Sequence, residues 1–262
     1  MSELPAIWTP SQFNGADLIP KFNAPAQVEK IEPVLGRDNI SAKDMILPAL
    51  KLLQGMSPVV MEGTVENAKA GMIHNTGTQE VMKAPLRVLL VHHSRSNSLI
   101  PDPVKNPATA NMKKCIARDG VTGTEYGECE KCRKCLDWGP NNEPPIGAQS
   151  HNFVCMTEYG PAMLRFSRSS YKAARQFLTM WNMTPDKNLW HHPVVVKVKS
   201  LQKQLPNGTK STYFVWEPLW QTSERTPPEV RAIAESFYHM IEASYQAGRL
   251  SGQDEEDSDQ GE

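Results

Sequence analysis

Long apolar segments are missing from this 262-residue sequence, in which no stretch approaches eighteen consecutive apolar residues. A membrane-spanning helix needs about 20 such residues, so the sequence predicts none. The opening residues, "MSELPAIWTPSQFN", also lack the apolar core of a secretory signal. We therefore expect a soluble, cytoplasmic protein with no membrane contact.

Apolar residues are scarce for a single compact globule, since they make up 39% of the chain and the mean hydropathy is -0.47. Part of the chain should therefore lie outside a core. Residues 1–40 are rich in Pro, Asn and Ala without a sustained period, which predicts a flexible N-terminal arm. Residues 249–262 have no apolar residue after Leu250, which predicts a disordered tail.

Catalytic motifs are missing as well. The sequence has no Gly-rich phosphate loop and no Ser, His and carboxylate set at motif spacing. The doublets His92-His93 and His191-His192 lack the acidic neighbours that two-metal phosphoryl chemistry needs. We therefore expect a protein that is not an enzyme.

Charge is unevenly distributed along the chain. The net charge is -1, but the last nine residues, "DEEDSDQGE", contain six carboxylates, so the preceding residues carry 28 - (29 - 6) = +5. A flexible polyanion can occupy a cationic groove of the body until nucleic acid displaces it, or can recruit basic partners. The simpler alternative is a tail that only aids solubility.

Alternating apolar and polar residues predict several strands. In "APLRVLLVHHSR" the residues Leu86, Val88 and Leu90 share one face of a strand buried on both sides. The segments "SHNFVCMTEYGPAMLRFSR" and "HPVVVKVKSLQKQLPNGTKSTYFVWEPLW" each predict a hairpin, with turns at residues 158–161 and 207–208. The segment "MILPALKLLQGMSPVVMEG" is compatible with a strand or with a short helix.

Two segments have helical periodicity. The apolar stripe of "SSYKAARQFLTMWNM" consists of Ala174, Phe177, Leu178 and Trp181. The apolar stripe of the helix predicted at residues 226–248 consists of Val230, Ile233, Phe237 and Ile241. Together these elements predict a mainly β fold: a small antiparallel barrel at residues 41–225, with an insertion at about residues 102–150 and a C-terminal helix.

Four of the five cysteines fall in the predicted insertion. Cys129, Cys132 and Cys135 occur in "ECEKCRKCLDW", and Cys115 precedes them. Four thiolates can hold a tetrahedral structural zinc ion, whose binding free energy would order a polar loop that has no core of its own. An iron–sulfur cluster is the alternative, although the Cys-Pro that continues the bacterial ferredoxin run is missing. Free thiols or a redox role also remain open.

The fifth cysteine, Cys155, lies in the predicted strand "NFVCM". A buried thiol without a ligand is the expected state of this residue.

The segment from Met163 to Lys210 is basic and aromatic. It contains nine basic residues against one acid, Asp186. Cations that follow a phosphate chain, interleaved with rings on which bases stack, are what a single-strand binder requires. The alternative is that the rings fill the core and the lysines cover the solvent faces of strands; for Phe177 and Trp181 the core is the expected place. Tyr213 and Trp216 fall on opposite faces of a strand.

These features resemble the single-stranded DNA-binding proteins of tailed bacteriophages, which use an oligonucleotide-binding (OB) barrel. The resemblance is carried by "DMILPALKLLQGMSP", the cysteine-bearing insertion, "MLRFSRSSYKAARQFL" and the acidic end. It implies coating of exposed strands in phage DNA replication, recombination or repair inside the infected bacterium, and it makes a structural zinc ion more plausible. It also implies that the acids of the tail contact other replication or recombination proteins. Those acids are Asp254, Glu255, Glu256, Asp257 and Asp259.

We expect the OB-like barrel to present one set of cations to phosphates and some of four rings to bases. The cations are Arg165, Arg168, Lys172, Arg175, Lys197 and Lys199. The rings are Phe166, Tyr171, Tyr213 and Trp216. A homo-oligomer is compatible with this arrangement. The alternative function is a zinc-ribbon phage protein whose basic face binds an acidic host protein, such as a regulator of transcription or of defence.

Overall fold

The computed structural model describes residues 47–104, 106–140, 143–185, 188–204, 208–220 and 224–246. The predicted N-terminal arm and the predicted acidic tail lie outside the described residues. None of the described helices is long and apolar enough to cross a membrane.

Strands outnumber helices in the described residues. The strands are β1 (Ala49–Leu52), β2 (Ile73–Asn75), β3 (Val81–Met82), β4 (Leu86–Leu99), β5 (Cys115–Ala117), β6 (Thr122–Gly123), β7 (Gly127–Glu128), β8 (Ala148–Thr157), β9 (Gly160–Ser167), β10 (Val194–Gln204) and β11 (Lys210–Trp220). The α-helices are α1 (Pro58–Met61), α2 (Cys129–Cys132), α3 (Tyr171–Met183) and α4 (Pro228–Gln246). Short 3₁₀ turns occur at Pro107–Thr109, Arg168–Ser170 and Leu189–His191.

Most strands join one curled sheet in the order β11-β10-β4-β8-β9-β1-β2-β3, and β5 pairs with β4 beside this path. All strand pairs are antiparallel except β1 with β9, which is parallel. The curl forms a half-barrel, and β1 also lies beside β11. The prediction of a mainly β fold is confirmed.

The two predicted hairpins are present. Strands β8 and β9 pair from Ser150 with Ser167 to Thr157 with Gly160. Gly160 has φ 107°, a conformation that favours glycine and permits the tight reversal. Strands β10 and β11 pair from Val194 with Trp220 to Gln204 with Lys210. The tip of this second hairpin includes Asn207, which lies outside the described residues.

The sheet has a core face and an outer face, because successive side chains of a strand point to opposite sides. On the core face Phe153, Leu164 and Val196 are fully buried. A β-bulge between Leu90 and His92 shifts the register of β4 against β8. The shift keeps Leu90 on the core face and places His93 opposite Phe153 on that same face.

The helices pack where their apolar stripes predicted. Helix α3 contacts β8, β9 and β11, and buries Ala174 and Phe177, while Leu178 and Trp181 pack against the core in part. Helix α4 packs on β4. Its buried residues are Val230, Ala234, Phe237 and Ile241, and Ile233 is partly buried.

The insertion occupies residues 100–147, between the end of β4 and the start of β8. Residues 148–150, which the sequence assigned to the insertion, belong to β8 because they pair with β4 and β9. Strand β5 anchors the insertion to the end of β4, with Cys115 opposite Leu99. Strands β6 and β7 form a separate two-stranded sheet within it.

Candidate nucleic-acid interface and cysteine cluster

Three of the four cysteines of the insertion are buried, namely Cys115, Cys129 and Cys135, and Cys132 is half-buried. All four are free thiols. The amide of Arg133 donates to the carbonyl oxygen of Cys129 at 2.9 Å, and Arg133 adopts the left-handed conformation with φ 52°. The chain therefore turns back tightly across the Cys129-x-x-Cys132 step.

The sulfur atoms of the cluster occupy space that a side chain at Gly123 or Gly147 would fill. A Cβ at Gly123 would lie 2.5 Å from Sγ of Cys115 and 4.0 Å from Sγ of Cys129. A Cβ at Gly147 would collide with Sγ of Cys135. The pKa of the Cys135 thiol is raised to about 11, first by burial and then by the charges of Cys129, Cys132 and Cys115. The four sulfur-bearing side chains are thus neighbours.

In the part of the chain that the structure describes, no three His, Cys, Asp or Glu side chains have the geometry of a formed metal site. The cysteines are therefore gathered without being closed into a tetrahedron. The chemistry of the donor set, four sulfur atoms in a glycine-lined pocket, fits a zinc ion.

The outer face of β4, β8 and β9 carries a polar strip, of which Ser96, Ser150 and Asn152 are buried and Arg165 is half-buried. Asn152 and Ser150 of β8 lie opposite Ser94 and Ser96 of β4 and opposite Arg165 and Ser167 of β9. Nε of Arg165 donates to Oγ of Ser150 at 3.1 Å, and its Nη2 lies 3.5 Å from Oγ of Ser98. The serines therefore hold one edge of the guanidinium in place.

The polar strip adjoins the cysteine cluster at Ser98. The Sγ atom of Cys135 lies 3.7 Å from the carbonyl oxygen of Ser98, the same residue whose hydroxyl is near Arg165. The insertion therefore contacts the strand end that supports Arg165.

An open cleft of ≈ 630 Å³ lies between β1, the end of β9 and β11. Among the residues that the structure describes, no acidic side chain lines this cleft. Arg165, Arg168 and Trp216 of the predicted set line it, and Lys51, Gln54 and Phe214 join them. The cleft therefore combines cations with aromatic rings.

Arg168 has an unusual backbone at the rim of this cleft. It is exposed, begins the 3₁₀ turn after β9 and has φ 49°, in the left-handed region. A left-handed non-glycine residue costs roughly 1–2 kcal/mol. Such outliers are frequent at binding sites.

Other predicted cations lie elsewhere. Lys197 and Lys199 are exposed on the outer face of β10, and the register places Tyr213 on that same face opposite Leu201. Trp216 pairs with Val198 on the core face, so Tyr213 and Trp216 lie on opposite faces as predicted. Trp216 is only 4% exposed and belongs to the core cluster, so its ring, contrary to the prediction, is not presented to a base.

Helix α3 carries the remaining predicted residues. Lys172 and Arg175 are exposed on this helix. Tyr171, its first residue, stacks on His151 with ring centroids 4.7 Å apart. One face of the Tyr171 ring is therefore already covered by a protein side chain.

Phe166 is a predicted base-stacking ring that the structure places in the core. It is 1% exposed and packs between Phe153 and Trp216, at ring-centroid distances of 5.6 Å and 6.3 Å. It shares the core face with Leu164, whereas Arg165 points to the outer face. Phe166 is thus a core residue and offers no ring to a base. The sequence already indicated this position of Phe166, because Ala162, Leu164 and Phe166 alternate with Met163, Arg165 and Ser167.

Sequence reasoning missed Gln54, Lys51 and Phe214 as cleft residues. The amide Nε2 of Gln54 donates to the carbonyl oxygen of Phe214, and the amide of Phe214 donates to Oε1 of Gln54, both at 2.9 Å. These residues are 160 positions apart, so no local pattern could connect them.

Cys155 and the histidines of the two doublets that were considered in the sequence have structural roles. Cys155 is fully buried, and burial raises the pKa of its thiol to about 12. His92 is buried with its Nε2 2.8 Å from Oε2 of Glu242, and Nδ1 of His192 lies 2.7 Å from the carbonyl oxygen of Glu224. The acids predicted to bind partners, from Asp254 to Asp259, lie outside the described residues.

Comparison with known proteins identifies a family for this chain. No curated protein and no solved structure matches this chain. The sequence profile of a family described as "Pam3 phage gp34-like protein" matches residues 16–246, which is most of the chain. The chain therefore belongs to the Pam3 phage gp34-like family of bacteriophage proteins.

Proposed function

We propose that this phage protein binds single-stranded DNA without strong sequence preference, as a non-enzymatic component of DNA replication, recombination or repair. The observation that supports this function most is the connectivity of five strands and one helix. Strand β4 pairs with β8 and with β10, β8 pairs with β9, β10 pairs with β11, and α3 lies between β9 and β10. This order supports an OB-like arrangement, in which β4, β8, β9, β10 and β11 would be the first to fifth strands.

In OB barrels, oligonucleotides bind on the face of the second and third strands, between the loop that joins strands one and two and the loop that joins strands four and five. Here that face is the polar outer strip of β8 and β9 with Arg165. The first loop is the cysteine-bearing insertion, and the second is the tip of the β10–β11 hairpin. Lys197, Lys199 and Lys203 lie along that hairpin.

The chemistry of the face favours backbone contacts over base readout. A held, half-buried guanidinium and exposed lysines suit phosphate oxygens, which carry no sequence information. Affinity should therefore come mainly from counterion release and weaken steeply with salt.

We also propose that the insertion holds a structural zinc ion through Cys115, Cys129, Cys132 and Cys135. Such an ion would have no open coordination position and would order the loop beside the binding face. Cys135 lies against the backbone of Ser98, so an ordered loop would lie beside the strand end that carries the hydroxyl next to Arg165. An iron–sulfur cluster is the second candidate, and the absorption spectrum distinguishes a brown cluster from colourless zinc.

The acidic tail and self-association complete the proposed function. We propose that the tail recruits basic surfaces of replication or recombination proteins. Charge complementarity with the basic body supports this role, since the tail carries six of the chain's 29 acidic residues. Cooperative coating would bring neighbouring copies together on one strand.

A gel-shift series with the full chain tests the function. We expect a shift with oligo(dT), a much weaker one with duplex DNA of equal length, and loss of the complex as salt rises from 50 to 200 mM, a range over which phosphate-dominated binding falls steeply. The double variant Arg165→Gln/Lys199→Gln should weaken the oligo(dT) shift, and Glu235→Gln on the exposed face of α4 is the control. Absence of any shift with single strands would contradict the function and favour the alternative, an acidic host protein as the partner.

A further inference from the structure

The free edge of β11 is closed by side chains in place of a neighbouring strand. Gln54 pairs with both backbone groups of Phe214. Two residues along, the amide of Trp216 donates to Oγ of Ser170 at 3.1 Å, and Pro218 has no amide hydrogen to leave unpaired. In a closed OB barrel the fifth strand would pair with the third along this seam. Here the seam stays open as the cleft between β9, β1 and β11.

The ring of Phe214 is fixed on two sides. Its backbone is held by Gln54, and its ring lies against Gly71, where a Cβ would approach Cε1 to 2.7 Å. Gly71 has φ 87°, so the close approach and the backbone both require glycine. Phe214 remains only partly buried and lines the cleft. A held, half-exposed ring costs little entropy when a flat ligand stacks on it.

Cations flank this ring. Lys51, Arg165 and Arg168 line the same cleft. Arg168 is exposed and has no ion-pair partner among the described residues. The cleft volume of ≈ 630 Å³ lies within the range of about 300–1,000 Å³ that small-molecule sites occupy.

We infer that this seam cleft is a subsite for one unpaired nucleotide of the bound strand, with its base on Phe214 and its phosphate on Arg165 and Arg168. Gln54 is the positioning residue, because it touches no ligand but holds the backbone that presents the ring. The inference rests on the proposed function and adds a place where a base, not only the backbone, is bound. It also explains why the barrel seam is closed by two side chains, since a full strand pair would fill the cleft.

The test compares two strands by fluorescence anisotropy at fixed salt: oligo(dT) of about 16 nucleotides, near the upper end of the site size of one OB barrel, and an abasic strand of the same length. The full chain should prefer oligo(dT). Phe214→Leu keeps the apolar contact with Gly71, and it should weaken oligo(dT) binding roughly 5- to 150-fold, the effect of losing one stacked base, while leaving abasic binding nearly unchanged. Tyr159→Leu is the control, since this exposed ring lies at the β8–β9 turn, away from the cleft.

Gln54→Met tests the positioning role. It has nearly the shape of glutamine without either hydrogen bond, so it should lower the preference for oligo(dT) over the abasic strand in the same direction as Phe214→Leu. A structural role alone would lower the melting temperature and leave this preference intact.

The outcomes separate the two proposals. If the full chain binds oligo(dT) and Phe214→Leu behaves like Tyr159→Leu, the subsite is overturned and the proposed function stands. If the full chain prefers oligo(dT) and only the cleft variants lose that preference, the subsite is supported. If no single strand binds, the proposed function fails and the subsite with it.

Discussion

The backbone and the side chain of Arg168 have opposite effects: the backbone conformation lowers stability, whereas the side chain is placed for binding. Its left-handed backbone, φ 49°, destabilises the fold, while its exposed guanidinium lies at the rim of the seam cleft. Replacing Arg168 by glycine would release this strain and so stabilise the folded state by roughly 1–2 kcal/mol. The greater freedom of glycine in the unfolded chain would offset about 0.5–1 kcal/mol of that gain. Backbone and charge can therefore be separated by substitution.

We predict that Arg168→Gly is as stable as the native chain or up to about 1 kcal/mol more stable, whereas Arg168→Ala keeps the strain and gains nothing. Both variants lose one phosphate contact, so the slope of log affinity against log salt should fall by about 0.7 in each. Thermal melts and a salt titration with oligo(dT) measure the two effects. An unchanged salt slope in both variants would remove Arg168 from the interface.

Two histidines join β4 to β8 at the element scale. Nε2 of His93 lies 2.9 Å from Nδ1 of His151, and Tyr171 of α3 stacks on His151. The pKa of each histidine is lowered to about 4, mainly by burial. For His93 the charges of His151, Arg95 and His92 add to this, and for His151 those of Arg95 and Arg175. Both rings are therefore neutral in the folded protein at neutral pH.

This pair predicts a loss of stability in acid. An unfolded histidine titrates near 6.5, so the unfolded chain binds more protons than the folded one between pH 6.5 and about 4. Stability should be complete above pH 6.5 and should fall, by on the order of 3 kcal/mol for each histidine, as the pH decreases toward 4. Urea unfolding at several pH values measures this. The double variant His93→Gln/His151→Gln should flatten the profile, whereas His239→Gln, an exposed position on α4, should not.

Elements set by local pattern could be predicted from the sequence, and elements set by distant pairing could not. The β8–β9 and β10–β11 hairpins and helices α3 and α4 follow from alternation, turn residues and apolar stripes within one segment. Strand β1 has only four residues, and its partners β2 and β9 are fixed by the sheet. The same holds for the candidate site: Arg165 and Arg168 could be chosen from the charge bias, but the ring beside them is Phe214, brought there by Gln54.

At the scale of the whole molecule, the barrel and the insertion have separate cores. The apolar cluster of the barrel extends from Leu50 to Ile241 and includes none of the insertion cysteines. The insertion is tied to the barrel through β5, through the contact of Cys135 with Ser98, and through hydrogen bonds from Asn97 to Gly120 and from Tyr245 to Arg118. We propose that its order comes from the cysteine cluster and that the core of the barrel folds without it.

Metal removal should therefore loosen the insertion and spare the barrel. We predict one zinc ion per chain, and that a chelator makes residues 100–147 sensitive to protease while the far-UV circular dichroism melt of the barrel changes little. Affinity for oligo(dT) should fall in parallel, because the insertion beside the binding face loses its order. Metal analysis, limited proteolysis with mass spectrometry and anisotropy measure these three effects.

Cysteine variants provide the control for metal removal. Cys132→Ser and Cys135→Ser should abolish binding of the metal, whereas Cys155→Ser should retain it, because Cys155 is buried in β8 with its Sγ 3.3 Å from the carbonyl oxygen of Ala162. Full metal content in Cys135→Ser would show that the cluster is not the ligand set. Collapse of the whole barrel on chelation would show that the barrel and the insertion unfold as one unit. The loss of order would then spread beyond the strand ends that the insertion contacts.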